Sequence, residues 1–411
     1  MSRMLVLALG AALVLCAPAA AQEGPALSVP QAELDAALEC PQPLAGAGRA
    51  PVLLIPGTNL EPKANFDWNY EPALTAAGIP WCAVTLPRYG MGDIQVSAEF
   101  VVAALRRMRA ESGRRVSIVG FSQGGMIGRW ALRWWPDTRA IVEDLVGNAP
   151  SNHGTQSARN LCRTRCPAAY WQQRDDAKFI ETLNGGTETF AGVDYTVNFT
   201  RYDEVVTPNG DEATGSSPLR TGDGRIRNTL IQSVCPGNTA EHLVLGSYDP
   251  VGWALALDAL THDGPADPAR VPATVCAQPF MPGVAPATFP ANWARYTAAI
   301  GQGGAQAEYA DAEPPLRCYA TASCGSGAAP RRGASRRRFR IHLERRLRRA
   351  RVTVGSRRVA VRRRGGRLVA TVDLRGRPAG VVRVRIRGVT KGGRRVTSTR
   401  RYRPCATARI R

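Results

Sequence analysis

Lysine is almost missing from this 411-residue chain: of 54 lysine and arginine residues the lysines are Lys63, Lys178 and Lys391, so arginine carries nearly all the positive charge. Histidine is also scarce, at His153, His242, His262 and His342, and no Cys-x-x-Cys pair accompanies them. That scarcity excludes the usual zinc patterns, and we expect no metal and no organic cofactor. Beyond residue 21 no apolar run is long enough for a membrane-spanning helix. The early run itself, Met4 to Leu15 behind Arg3 and ahead of Ala19, Ala20 and Ala21, reads as an export signal over residues 1–21. Leu15 stands where a small residue would precede a lipid-modified Cys16, which argues against a lipoprotein. Export makes disulfides the default for the cysteines left after the signal: Cys40, Cys82, Cys162, Cys166, Cys235, Cys276, Cys318, Cys324 and Cys405. Nine is odd, so one is expected to be unpaired or to bond another chain.

Acids are nearly missing from the last fifth of the chain. From Pro330 to Arg411 there are 29 arginines and one lysine against Glu344 and Asp373, a net charge of +28, whereas residues 1–329 carry −7. The chain is therefore two electrostatically opposite pieces. Aromatics are few in the basic piece, Phe339 and Tyr402, so it lacks the stacking platforms of single-strand nucleic-acid binders and is not expected to read nucleic-acid sequence. A surface so charged holds polyanions by screened Coulomb attraction: wall polymers, acidic polysaccharide, anionic lipid surfaces or extracellular DNA.

What is present in residues 22–320 is an alternation of short apolar strands, "PVLLIPG", "WCAVTLP", "RRVSIVG" and "IVEDLVGNAP", with amphipathic helical stretches such as "SAEFVVAALRRMRAES". That pattern predicts an α/β domain with a mostly parallel sheet. Residues 321–338, rich in Gly, Ala, Ser and Arg, read as a linker. Residues 339–411 change period: "VTVGSRRVAV", "LVATVDL" and "VVRVRIRGV" alternate apolar and polar residues, which predicts a small Ig-like β-sandwich with an arginine-covered outer face.

The stretch "VGFSQGG", residues 119–125, runs a predicted strand through Ser122 into a predicted helix ended by Pro136. A Gly-x-Ser-x-Gly turn in that context is a nucleophile elbow of the α/β-hydrolase fold, whose triad runs Ser, then acid, then His along the chain. The order eliminates histidines. His153 comes too early, His342 lies in the basic tail and His262 closes a helix, which leaves His242. The acid should fall between Ser122 and His242, and "YTVNFTRYDEVVTP" offers Asp203 and Glu204 without choosing between them.

In order and spacing, "PVLLIPGT", "FSQGGMIGRWAL", "NAP", "YDEVVTP", "SSPL" and "EHLVLGS" resemble the secreted lipases of the Candida antarctica lipase B type, over roughly residues 35–320. The resemblance implies Ser122 as nucleophile, His242 as base and Asp203 as acid. It implies an oxyanion hole from the backbone N–H of Gln123 and the N–H and hydroxyl of Thr58. Phe121 stands where the family has a tryptophan lining the alcohol side of the pocket, and Ser151 replaces an aspartate on the acyl side. His153 has no evident family role and reads as a loop residue. The resemblance also pairs Cys40 with Cys82 and Cys235 with Cys276, and leaves Cys318 to Cys324 or Cys405. Cys162 and Cys166 have no family counterpart; in a lid-like segment, they are expected to form a short stiffening bridge.

Together these features lead us to expect an exported serine hydrolase acting on carboxylic esters of the acylglycerol type, held on anionic surfaces by its basic domain. Two other readings stay open. The hydrolase domain could be idle in a secreted polymer-binding protein, or an alcohol could replace water and make the chain an acyltransferase.

Overall fold

A computed structural model describes residues 23–305, 307, 309–321, 338–343, 347–354, 357–364, 367–373 and 382–402. The expected export signal, most of the expected linker, Cys324 and Cys405 lie outside the described residues. The chain divides into two units, one ending at residue 325 and the other beginning at 326.

The first unit is built on a seven-stranded sheet: β1 (Leu38–Glu39), β2 (Val52–Ile55), β3 (Trp81–Val84), β4 (Val116–Phe121), β5 (Val142–Asn148), β6 (Asp194–Phe199) and β7 (Arg225–Leu230). Their order across the sheet is β1-β3-β2-β4-β5-β6-β7. Every pair is parallel except β1 with β3. Strands β2 and β4 are buried along their whole length, as parallel strands must be when helices cover both faces. Leu53, Ile55 and Ile118 face a core completed by helices α1 (Ile94–Ser112) and α2 (Gln123–Trp134); Leu54, Val119 and Val146 face a second core with Val251, Leu255 and Ala259. Helix α1 begins where the Asp93 carboxylate accepts the Gln95 N–H and ends at Gly113, whose φ of 66° suits glycine. The remaining elements near the site are α3 (Gln156–Leu161), α4 (Pro250–Thr261) and α5 (Phe289–Ala305).

One carboxyl of this unit sits in β5 at a cost. Asp144 is buried, accepts a hydrogen bond from the Ser117 hydroxyl at 2.9 Å, and lies near Glu143 and Asp194. Burial above all, and then these acids, push its carboxyl up to about 7. A native pKa above the unfolded one means that ionisation costs stability, progressively as pH rises from about 4 to about 7. Asp144→Asn, which can still accept from Ser117, is therefore expected to stabilise the protein by on the order of 2 kcal/mol at pH 8 and little at pH 4, measured by urea unfolding at both.

The second unit is all-β. β8 (Arg338–His342), β12 (Arg367–Asp373) and β11 (Val361–Arg364) form one antiparallel sheet in the order β8-β12-β11. β10 (Arg357–Val359), β9 (Leu347–Val354), β13 (Val382–Thr390) and β14 (Arg395–Tyr402) form the other, in the order β10-β9-β13-β14. Ile341, Val352, Val354, Leu368, Val372, Val384 and Ile386 meet in one core, so the two sheets make a sandwich. Alternation decides the faces: Val384 and Ile386 are buried while Arg383, Arg385 and Arg387 are exposed.

Candidate active site

Ser122 occupies the turn between β4 and α2 with φ 53° and ψ −120°, a strained conformation for a residue with a side chain. The glycines around it follow from how closely backbone approaches backbone. A Cβ on Gly120 would lie 2.2 Å from the Gly124 carbonyl oxygen, one on Gly124 would lie 2.1 Å from that of Ile55, and one on Gly125 would lie 2.9 Å from the Pro150 ring. The turn is therefore wedged between β2 and the end of β5, and it presents Ser122 at the start of α2, where the free N–H groups of a helix favour negative charge.

Ser122 lines a cavity of about 220 Å³, together with Thr58, Phe121, Gln173, Val206, His242 and Ile300 among others. His242, at the head of the short helix His242–Leu245, lines it too, and Asp203, four residues beyond β6, meets the His242 ring. The imidazole Nδ1–H donates to the Asp203 carboxylate at 3.0 Å, with both side chains almost wholly buried. That carboxylate also accepts the N–H groups of Val205 at 3.1 Å and Val206 at 2.7 Å and the Asn209 amide at 3.2 Å. Fixing the proton on Nδ1 leaves Nε2 free to accept one. Glu204 instead accepts the backbone N–H of His242 at 3.3 Å, so of the two acids Asp203 is the one on the ring. The Phe121 ring packs against the imidazole with centroids 4.8 Å apart.

Burial by itself lowers the basicity of His242. The Asp203 carboxylate, through charge and hydrogen bond, and the charges of Glu204 and Glu241 outweigh it, and the pKa is raised above the usual histidine value. Glu241 also caps the helix, accepting from Leu243 N–H at 2.6 Å and Val244 N–H at 3.2 Å.

Thr58 is held in a way the sequence did not reveal. Its hydroxyl oxygen accepts the side-chain amides of Gln123 at 3.1 Å and Gln173 at 3.0 Å. Both amides are oriented by backbone carbonyls, which cannot donate: Gln123 Nε2 also reaches Gly90 O at 2.9 Å and Gln173 Nε2 reaches Ala169 O at 3.2 Å. With two donors on its oxygen, the hydroxyl has its proton left to give, beside the cavity that Thr58 lines. Ser151 is fully buried and donates to Gln173 Oε1 at 2.9 Å; it acts behind Gln173 and is not among the residues lining the cavity.

Ser157, Ala158 and Leu161 of α3 line the cavity, and Leu161 is 66% exposed. The Cys162–Cys166 disulfide follows the helix at once, and Cys166–Pro167 pairs with Tyr309–Ala310. Cys40 is bonded to Cys82 and Cys235 to Cys276. Cys318 is also disulfide-bonded, to a partner outside the described residues. His153 is away from the cavity, its ring between Ser216 O at 3.0 Å and Glu188 Oε1 at 2.5 Å, while His262 sits at the end of α4.

No family model matches the chain. It is 31% identical to lipase B of Pseudozyma antarctica over 214 residues, 51% of this chain and 61% of that protein, so the match spans less than two thirds of the relative. The crystal structure of Aspergillus fumigatus lipase B superposes with a TM-score of 0.67 at 29% identity, covering 78% of this chain and 77% of that one. The chain resembles these two lipases. The first unit has the α/β-hydrolase fold, with the parallel sheet order and the strand-to-helix serine described above. Among the described residues no helix is long and apolar enough to cross a membrane.

Proposed function

We propose that this chain is an exported carboxylic ester hydrolase, a lipase or esterase of acylglycerol-type substrates. The observation that carries the reading is a buried Asp203–His242 pair whose imidazole lines the same cavity as a serine held at a strained strand-to-helix turn. Ser122 Oγ attacks the ester carbonyl carbon while His242 Nε2 takes its proton. The oxyanion accepts hydrogen bonds from the Gln123 N–H at the start of α2 and from Thr58. His242 returns the proton to the leaving alcohol, and water then cleaves the acyl-enzyme by the same route. The lipase B likeness supports the substrate class, and the cavity's apolar lining, Leu60, Phe121, Leu161, Val205, Val206 and Ile300, suits an acyl chain. The disulfides support export. The basic unit, net +28 from Pro330 onward, is the part that holds the enzyme on anionic surfaces.

Hydrolysis of a p-nitrophenyl ester series, short to long acyl chain, by the mature protein and by Ser122→Ala tests the reading. Turnover by the first and none by the second is expected; equal inactivity of both would end it.

The pH profile carries a further expectation. His242 must be neutral to accept the Ser122 proton, so kcat/KM falls as pH drops through its pKa, and the acid limb is displaced upward from that of an ordinary histidine. Glu204→Gln removes one of the charges that raise it and can still accept the His242 N–H. The limb is then expected to move to lower pH with the plateau kept, read from kcat/KM between pH 5 and pH 9.

A further inference from the structure

The outward face of the β10-β9-β13-β14 sheet breaks a rule of sheet stability. Arg351 on β9 is directly opposite Arg387 on β13, although like charges in that position repel. Arg358 and Arg385 both lie opposite Thr353, and Arg395 pairs with Val389. Arg349, Arg351, Arg358, Arg387 and Arg395 are all exposed and converge on a groove of about 690 Å³. Among the described residues no acid lines the groove, and none of these five side chains has a carboxylate partner. Such an array favours folding only when an anion from outside occupies it.

We propose that this groove binds a linear acidic polysaccharide, its carboxylates or sulfates held by those five arginines. The proposal deepens the reading of the basic unit as a surface anchor and rests on it. Guanidinium forks match oxyanions in two parallel hydrogen bonds, and arginine stays charged at any working pH. Successive outward arginines on one strand stand about 7 Å apart and neighbouring strands about 5 Å apart, a grid that meets repeated charges along a chain. Thr397 lines the groove among the arginines and Thr353 shares their face, supplying partners for sugar hydroxyls. Among the described residues no aromatic lines the groove, so none of them offers a stacking face to nucleobases. A concave groove also admits a chain where a flat bilayer surface would touch the rim.

The test measures binding of the full mature protein to polygalacturonate at fixed salt, with duplex DNA and phosphatidylglycerol vesicles as competitors. Arg351→Thr/Arg387→Thr/Arg395→Thr removes three groove charges and replaces them with a good strand former. Arg340→Thr/Arg362→Thr/Arg364→Thr removes three exposed charges from the other sheet. The groove variant is expected to bind about tenfold or more weakly, and the control to keep most of its affinity. The groove variant also melts no lower than the parent, because a repelling pair is gone. Equal losses in both variants would overturn the groove and leave the anchor reading standing, as diffuse charge. Preference for DNA or vesicles would overturn the polysaccharide. No binding to any of the three would overturn the anchor reading itself.

Discussion

Asp203→Asn is expected to lower kcat for ester hydrolysis by about 10,000-fold, while Glu204→Gln leaves it within a few-fold at high pH. The carboxylate of Asp203 is on His242 Nδ1 at 3.0 Å and is itself locked by two backbone N–H groups and the Asn209 amide. An asparagine there keeps the shape, but if its oxygen stays on the Val205 and Val206 N–H groups, its NH₂ faces Nδ1. The imidazole must then carry its proton on Nε2, the position that has to accept one from Ser122. Glu204 touches only the His242 backbone and acts on the ring through its charge. Steady-state kinetics of the two variants on one ester decide between the carboxylates, and the reverse ranking would show that the acid has been misassigned.

Thr58→Val is expected to cost about 100- to 1,000-fold in kcat with little change in KM, since its hydroxyl donates to charge that exists only in the transition state. Gln173→Leu should lose less. It frees one lone pair on the Thr58 oxygen, so that the hydroxyl can turn to donate elsewhere, but removes no oxyanion donor. If Gln173 works through Thr58, then adding Gln173→Leu to Thr58→Val costs almost nothing more, whereas independent effects would multiply. Thr58→Ser, which keeps the hydroxyl and both incoming amides, restores most of the rate. A merely structural Gln173 would lower stability without this coupling in kcat.

The parallel sheet was legible because β2 and most of β4 are apolar along their buried length, while in β5 Glu143 and Asp144 interrupt the run. The sandwich was legible for the opposite reason, that Val384 and Ile386 alternate with arginines. Ser122 could be read from its neighbours, since each glycine marks a contact too close for a side chain. The acid was harder. Asp203 lies past the end of β6, where strand alternation no longer says which way a residue faces, and its position is set by the N–H groups of Val205 and Val206. Gln173 was invisible to sequence reasoning because it meets Thr58 across 115 residues and belongs to no motif. Ser151, expected in the pocket by resemblance, reaches it only through Gln173.

The most direct measurement of the central claim is intact and peptide mass spectrometry after exposure to a p-nitrophenyl alkylphosphonate, which traps an activated serine as a stable tetrahedral adduct. The account predicts one adduct per chain, on the peptide containing Ser122, absent in Ser122→Ala and much slowed in His242→Ala. A folded protein that takes no adduct, or takes it on another residue, would contradict it.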